Sequence, residues 1–207
     1  MNSKIRILVA DDHLVARIGI GAILNRQRDM LVVAEASNGR QALEAYRKHL
    51  PDIVLLDLRM PVMSGVEAAI AIRKEFPDAH LIALTSYGGD EDIRRALAAG
   101  FQAYLTKDVL RNELLKTIRT VHAGGEYLPA ALAAALEAQA DSPALSKREI
   151  EVLELVARGL GNKQIAYALD ISETTAKNHV QHILQKLGAQ DRTQAATAAI
   201  QRGIIHL

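Results

Sequence analysis

The stretch KIRILVADD, residues 4–12, runs branched apolar residues straight into a pair of carboxylates. A run this short, rich in Ile, Leu and Val, reads as a strand buried on both faces. Similar runs recur at Leu31–Ala36, Ile53–Leu56, His80–Leu84 and Ala103–Leu105. Between them lie segments of helical period: Leu14–Arg26, Gly39–Lys48, Gly65–Phe76, Glu91–Ala99 and Arg111–Ala123. Such alternation predicts a parallel sheet with helices on both faces. Five units cannot close an eight-stranded barrel, which leaves an open, doubly wound α/β domain.

Ligands of such sheets bind at the carboxyl ends of the strands. Strand one ends in Asp11-Asp12, strand three in Asp57, strand four in Thr85-Ser86 and strand five in Thr106-Lys107. Strand two ends in Ser37-Asn38, at the periphery. One reading makes each aspartate the cap of the helix that follows. That reading leaves the lysine among them unexplained. Clustered carboxylates repel unless a cation lies between them, and oxygen donors open to water suit Mg²⁺. A carboxylate beside Mg²⁺ and a lysine is placed to attack a phosphoryl group, whose developing charge the two cations would neutralise. Thr85 could hydrogen-bond one of the transferring oxygens. Neither GxxxxGK[ST] nor GxGxxG occurs, which argues against a nucleotide-fuelled enzyme.

Composition narrows the field further. The 207 residues are 49% hydrophobic and 24% charged, enough apolar material for one or two cored domains. No apolar run reaches about 18 residues, and MNSKIRILVADDH lacks the apolar region and cleavage site of a signal peptide. A cytoplasmic chain without membrane association is expected. Cysteine is absent, which excludes disulfides, thiolate zinc sites and cysteine nucleophiles. A net charge of +1 sets up no global field for nucleic acid. Aromatics at 3% disfavour a single-strand reader, which needs stacking platforms, but not a reader of duplex DNA.

VADDH at 9–13, LLDLRMP at 55–61, MSG at 63–65, LTS at 84–86 and YLTK at 104–107 together resemble the receiver domain of two-component response regulators. The likeness spans about residues 4–123. It implies the flavodoxin-like strand order 2-1-3-4-5, which sets strands one and three side by side. It also implies that Asp57 is the phospho-acceptor and that Asp12, Asp57 and the backbone carbonyl of Arg59 ligate Mg²⁺, with Asp11 holding it through water. Lys107 would pair with the phosphoryl group, and Thr85 with Tyr104 would form a switch pair. On the residues alone, Tyr104 reads as a half-buried aromatic on a strand face. Ser86 is small and leaves the phosphate accessible, and Met60-Pro61 shapes the loop after the acceptor.

The expected domains are 1–125, an Ala-rich and partly helical linker at 126–144 (Pro129 to about Ala140), and 145–207. The last is helical throughout in pattern. Ser146-Lys147-Arg148-Glu149 is a capping box that opens a helix burying Ile150, Leu153 and Ala157 and stopping at Gly159. A short helix at Asn162–Leu169 is followed by the turn Asp170-Ile171-Ser172, with Ser172 as the cap of a helix at Glu173–Leu187. That helix has an apolar face of Ala176, Val180, Ile183, Leu184 and Leu187. Its opposite face, Thr174, Lys177, Asn178, Gln181 and Gln185, carries donors and no carboxylate. Short helix, tight turn and amphipathic helix describe a helix-turn-helix; a plain bundle with a solvated polar face is the alternative.

The stretch that begins LSKREIEVLELVARGLGNKQIAYALDISETTAKNHVQHILQKLGAQDRTQAA is similar to the LuxR-type DNA-binding domain over about residues 145–199, and a receiver ahead of it is the NarL/FixJ layout. Gly161 stands where that family usually has Ser, and Ala176 where Val is common. The resemblance implies a DNA-binding transcription regulator controlled by phosphorylation, with a sensor histidine kinase, double-stranded promoter half-sites and a second copy of the chain as partners. Lys163, Lys177, Lys186 and Arg192 are candidate phosphate contacts, and Thr174, Asn178 and Gln181 face the groove. Asn178 or Gln181 could bond adenine N6 and N7. Four phosphate contacts predict a salt slope of about −3 to −4 per protomer, so tight binding requires a dimer. Two other classes remain. An aspartyl-phosphate phosphatase would want a second carboxylate two residues after the nucleophile, where this chain has Arg59. A phosphorylation-independent DNA-binding protein would not need Asp11, Asp12, Asp57, Thr85 and Lys107 all intact.

Overall fold

A computed structural model describes residues 4–86, 89–108, 111–130, 132–134 and 143–205. The chain forms two compact units, Met1–Tyr87 with Ile93–Ala133, and Gly88–Asp92 with Ala134–Leu207. Among the described residues no helix is long and apolar enough to cross a membrane.

The first unit is built on five parallel strands: β1 (Ile5–Ala10), β2 (Met30–Ala36), β3 (Ile53–Leu56), β4 (Leu81–Thr85) and β5 (Ala103–Thr106). They alternate with α1 (Leu14–Asn25), α2 (Gly39–His49), α3 (Gly65–Glu75), α4 (Asp90–Ala98) and α5 (Arg111–His122). The sheet order is β2-β1-β3-β4-β5, as the resemblance implies. The central strands β3 and β4 are buried along their whole length, the mark of a sheet covered on both faces. Alternate residues Ile5, Ile7 and Val9 share one core with Leu24 of α1 and with Leu114, Ile118 and Val121 of α5.

Register then positions the polar ends. Ala10 pairs with Leu56, and the next residue on, Asp57, donates its N–H to the Ala10 carbonyl at 2.9 Å. Thr85 pairs with Thr106, and Lys107 N–H reaches the Thr85 carbonyl at 2.8 Å. Asp11, Asp57, Thr85 and Lys107 therefore leave the sheet at one edge.

Tyr104 is fully buried rather than half-buried. β5 also carries a strap on its outer edge that the sequence pattern does not announce. Tyr127, expected at the start of the linker, forms a parallel bridge with Ala103 and covers the outer edge of β5. Its N–H donates to Gln102 and its carbonyl accepts from Tyr104 at 3.2 Å, while its hydroxyl bonds the Glu113 carboxylate. Ala130 and residues 132–134 are helical; the rest of the expected linker helix, 131 and 135–140, lies outside the described residues.

The second unit holds α6 (Lys147–Ala157), α7 (Asn162–Leu169), α8 (Glu173–Leu187) and α9 (Arg192–Gln201). The capping box forms: Ser146 Oγ accepts from Glu149 N–H, and Glu149 Oε2 accepts from Ser146 N–H at 2.7 Å. Gly161 caps α7 with half of such a box, since only Gln164 Oε1 bonds back to its N–H at 2.9 Å. Asp170 takes the left-handed conformation (φ 52°) that ends α7, and Ser172 Oγ accepts from Thr175 N–H at 3.0 Å. Ala176, Val180 and Ile183 are buried against Val152, Leu153, Ile165, Ala195 and Ala199.

One ion pair inside this unit carries a pH signature. Lys186 Nζ lies 2.7 Å from Glu149 Oε2 and also reaches the Ala144 carbonyl at 3.2 Å. Burial pushes the Glu149 carboxyl up, but Lys186 and the Ser146 donors outweigh it and hold it at about 2, below its ordinary 4.5. A depressed carboxylate stabilises the fold above its unfolded value and loses that contribution as pH falls through its folded value. Lys186→Met leaves Glu149 without its cation and is expected to cost about 1–3 kcal/mol at pH 7. Denaturant titrations should show the wild-type advantage shrinking between pH 4.5 and pH 2. An advantage constant over that range would assign the loss to packing.

Candidate functional site

At the carboxyl edge of the first unit, Lys107 Nζ sits 2.7 Å from Asp11 Oδ2 and 2.6 Å from Asp57 Oδ2. All three groups are withdrawn from solvent: the side chains are 14%, 2% and 4% exposed. The second oxygen of each aspartate faces the backbone. Asp11 Oδ1 accepts from His13 N–H at 2.8 Å, and Asp57 Oδ1 from Arg59 N–H at 3.2 Å. Asp12 is more open, at 32%, and lies 2.8 Å from His13 Nδ1. Asp11, Asp12, His13 and Asp57 each bring a ligand atom within 4.8 Å of the others. Three carboxylates gather around one ammonium that pairs with two of them, a donor set with an excess of negative charge that could hold a metal ion.

The aspartates do not cap helices. His13 occupies the cap position of α1 without a side-chain bond, Asn38 caps α2, and Ser64 caps α3 through a full capping box. Thr85 is fully buried at the end of β4, and Ser86 beside it is exposed.

The loop that carries Asp57 is clamped by two glycines whose role spacing alone does not reveal. A Cβ on Gly65 would stand 2.0 Å from the Asp57 carbonyl oxygen, and one on Gly39 would stand 2.5 Å from the Met63 carbonyl. Gly65 N–H donates to Leu58 and Gly39 N–H to Met63, so helix starts grip the loop from both sides. Between them, Met63 N–H closes on the Pro61 carbonyl at 2.8 Å with Val62 at φ 70°, a tight turn strained for a β-branched residue. His13 is the pocket residue the sequence reading passed over; its position directly after Asp11-Asp12 was the available signal.

In the second unit, Thr174, Lys177, Asn178 and Gln181 lie exposed along one face of α8, and Lys163 is exposed on α7. Lys186 and Arg192 are engaged elsewhere. Lys186 holds Glu149, and Arg192 donates to the Leu160 carbonyl and to Asn162 Oδ1 at 3.0 Å. Among the described residues, Lys163 and Lys177 have no such partner.

Charge crowding in the pocket has a thermodynamic consequence. Burial raises the Asp57 carboxyl above its ordinary 3.8, more than the Lys107 hydrogen bond lowers it. The Lys107 ammonium is opposed by burial, yet its bonds to Asp11 and Asp57 raise it overall. A carboxyl with a raised folded value favours folding at low pH and loses that contribution as pH rises through the folded value. Ionised Asp57 therefore opposes folding at neutral pH. Asp57→Asn is expected to raise the thermal midpoint at pH 7.5 in a chelating buffer, with the gain fading toward pH 4. A lowered midpoint in calorimetry would make Asp57 a net stabilising partner of Lys107.

Residues 7–119 match the family model described as the response regulator receiver domain, and residues 143–199 match that of bacterial regulatory proteins of the luxR family. The chain is 38% identical over 216 residues to the transcriptional regulatory protein LnrK of Bacillus subtilis, covering 97% of this chain and 98% of that one. It is similar to the crystal structure of ChrA, the response regulator of a heme-sensing two-component system, with 38% identity and a TM-score of 0.60 over 99% and 100% of the two chains. RcsB in complex with DNA shares the fold at a TM-score of 0.69 and 24% identity, over 96% of this chain and 99% of that one. The chain belongs to the response regulators that join a receiver domain to a LuxR-type DNA-binding domain.

Proposed function

We propose that Asp57 accepts a phosphoryl group from the phosphohistidine of a sensor kinase, and that this modification controls DNA binding by the second unit. The supporting observation is the Lys107 ammonium held between Asp11 and Asp57. A carboxylate oxygen of Asp57 attacks phosphorus; the P–O bond forms as the P–N bond breaks, the electron pair stays on the ring nitrogen, and the kinase imidazole, already protonated at its other nitrogen, leaves neutral. Lys107 stands beside the oxygen that gains charge, and the Thr85 hydroxyl at the end of β4 hydrogen-bonds the new phosphoryl oxygens. The oxygen donors fit Mg²⁺: Asp12, Asp57 and the Arg59 carbonyl would ligate it, Asp11 would hold it through water, and the ion would supply charge neutralisation for the phosphoryl group. Ser86 leaves the approach open.

Phosphorylation turns the singly charged Asp57 carboxylate into an acyl phosphate of up to two negative charges, a net gain of about one where Lys107 is already matched to two carboxylates. Relief comes from movement of Lys107 and Thr85, which are joined through the backbone at 2.8 Å, and of their strand neighbour Tyr104. Tyr104 and Thr85 thus form the switch pair. The receiver occupies 1–125, the linker 126–144 and the DNA-binding domain 145–207, and the regulator acts in the cytoplasm.

Exposed Lys163 and Lys177 contact phosphates, and Thr174, Asn178 and Gln181 face the major groove. Lys186 and Arg192, bonded within their own unit, brace α8 and α9 as they meet the backbone. Phosphate contacts from Lys163 and Lys177 give a salt slope of about −2 per protomer, shallower than four contacts would give. Weak single-site binding of this kind calls for a homodimer on two promoter half-sites.

The test is labelling of the full chain by a small phosphodonor, read by intact mass. Labelling should require Mg²⁺, add one phosphoryl group, and vanish in Asp57→Asn. Labelling that persists in that variant would place the acceptor elsewhere.

A further inference from the structure

The metal-binding role drawn above uses oxygen donors only, yet an imidazole stands among them. His13 Nδ1 lies 2.8 Å from Asp12 Oδ1 and 3.5 Å from Asp11 Oδ1, and its own N–H is fixed to Asp11 Oδ1 at 2.8 Å. Around a six-coordinate ion with bonds of about 2.1 Å, neighbouring donors are about 3 Å apart and opposite donors about 4.2 Å. The spread of no more than 4.8 Å among Asp11, Asp12, His13 and Asp57 is within a small adjustment of that geometry. His13 can make the adjustment, because its side chain is 70% exposed and holds no other bond among the described residues.

We infer that His13 serves as a nitrogen ligand to the cation in this pocket, and that it tilts selectivity from Mg²⁺ toward first-row divalent ions such as Mn²⁺. The inference rests on the pocket being a divalent-cation site. Mg²⁺ favours oxygen donors and gains little from imidazole, whereas affinity of nitrogen-containing sites rises along the first transition row. A histidine that only steadied Asp12 would affect both ions alike.

The experiment uses the full chain and Mn²⁺ as probe. Binding is read from loss of the free Mn²⁺ paramagnetic resonance signal, alone and against competing Mg²⁺. Nitrogen coupling to bound Mn²⁺ is then recorded with natural and ¹⁵N-labelled histidine. Bound Mn²⁺ should show imidazole coupling that changes with the isotope and disappears in His13→Gln. In that variant Mn²⁺ affinity should fall about tenfold, while Mg²⁺ affinity moves by less than about twofold. Bound Mn²⁺ without ring coupling, or equal losses for both ions, would overturn the role of His13 and leave the oxygen site standing. Failure of both ions to bind would overturn the cation site as well.

Discussion

Lys107 holds Asp11 and Asp57 in place of a larger positive charge. One ammonium lies 2.7 Å and 2.6 Å from two carboxylates that are almost wholly buried, with a third carboxylate close by. Each aspartate turns one oxygen to the lysine and the other to a backbone N–H. The arrangement is balanced enough to fold and short enough of positive charge to welcome a cation or to shift when negative charge is added. Everything around it serves to keep the three groups at that separation. The β1–β3 register sets Asp11 beside Asp57, and the β4–β5 register carries Lys107 to them. Gly65 and Gly39 allow helix starts to close directly on the acceptor loop.

The second unit distributes its cations differently. Residues 143–207 carry eight basic and six acidic side chains, which leaves little excess charge. Part of that small excess is used inside the fold, where Lys186 neutralises the buried Glu149 and Arg192 ties α9 to the start of α7. Along the exposed face of α8 that carries Lys177 lie the hydroxyl of Thr174 and the amides of Asn178 and Gln181, with Lys163 exposed on α7. Such a surface discriminates through hydrogen bonds more than it attracts through charge.

Much of this was legible from one chain of letters because period and polarity change together. Short apolar runs that end in Asp11, Asp57, Thr85 and Lys107 name both the strands and the residues at their ends, and Ser146 and Ser172 mark helix starts by cap chemistry alone. The features that were not legible depend on distance across the fold. The pairing of Tyr127 with the outer edge of β5 is a contact with no local pattern. The engagement of Lys186 with Glu149 spans 37 residues, so an exposed-looking lysine proved to be half-buried against a buried carboxylate. Helix α9 has only small buried residues, Ala195 and Ala199, and carries no strong periodic signal. The close approach of Gly65 to Asp57 is likewise a matter of packing, visible only when the loop is in place.

If Lys107 stands where positive charge is scarce, it competes with a divalent ion for Asp11 and Asp57. Calorimetric titration of Mg²⁺ into Lys107→Met and the wild-type chain tests this directly. Removing the competing charge should tighten Mg²⁺ binding about tenfold, the equivalent of about 1.4 kcal/mol. Binding that is unchanged or weaker in the variant would contradict the account, because Lys107 would then be organising the carboxylates for the ion and not standing in for it.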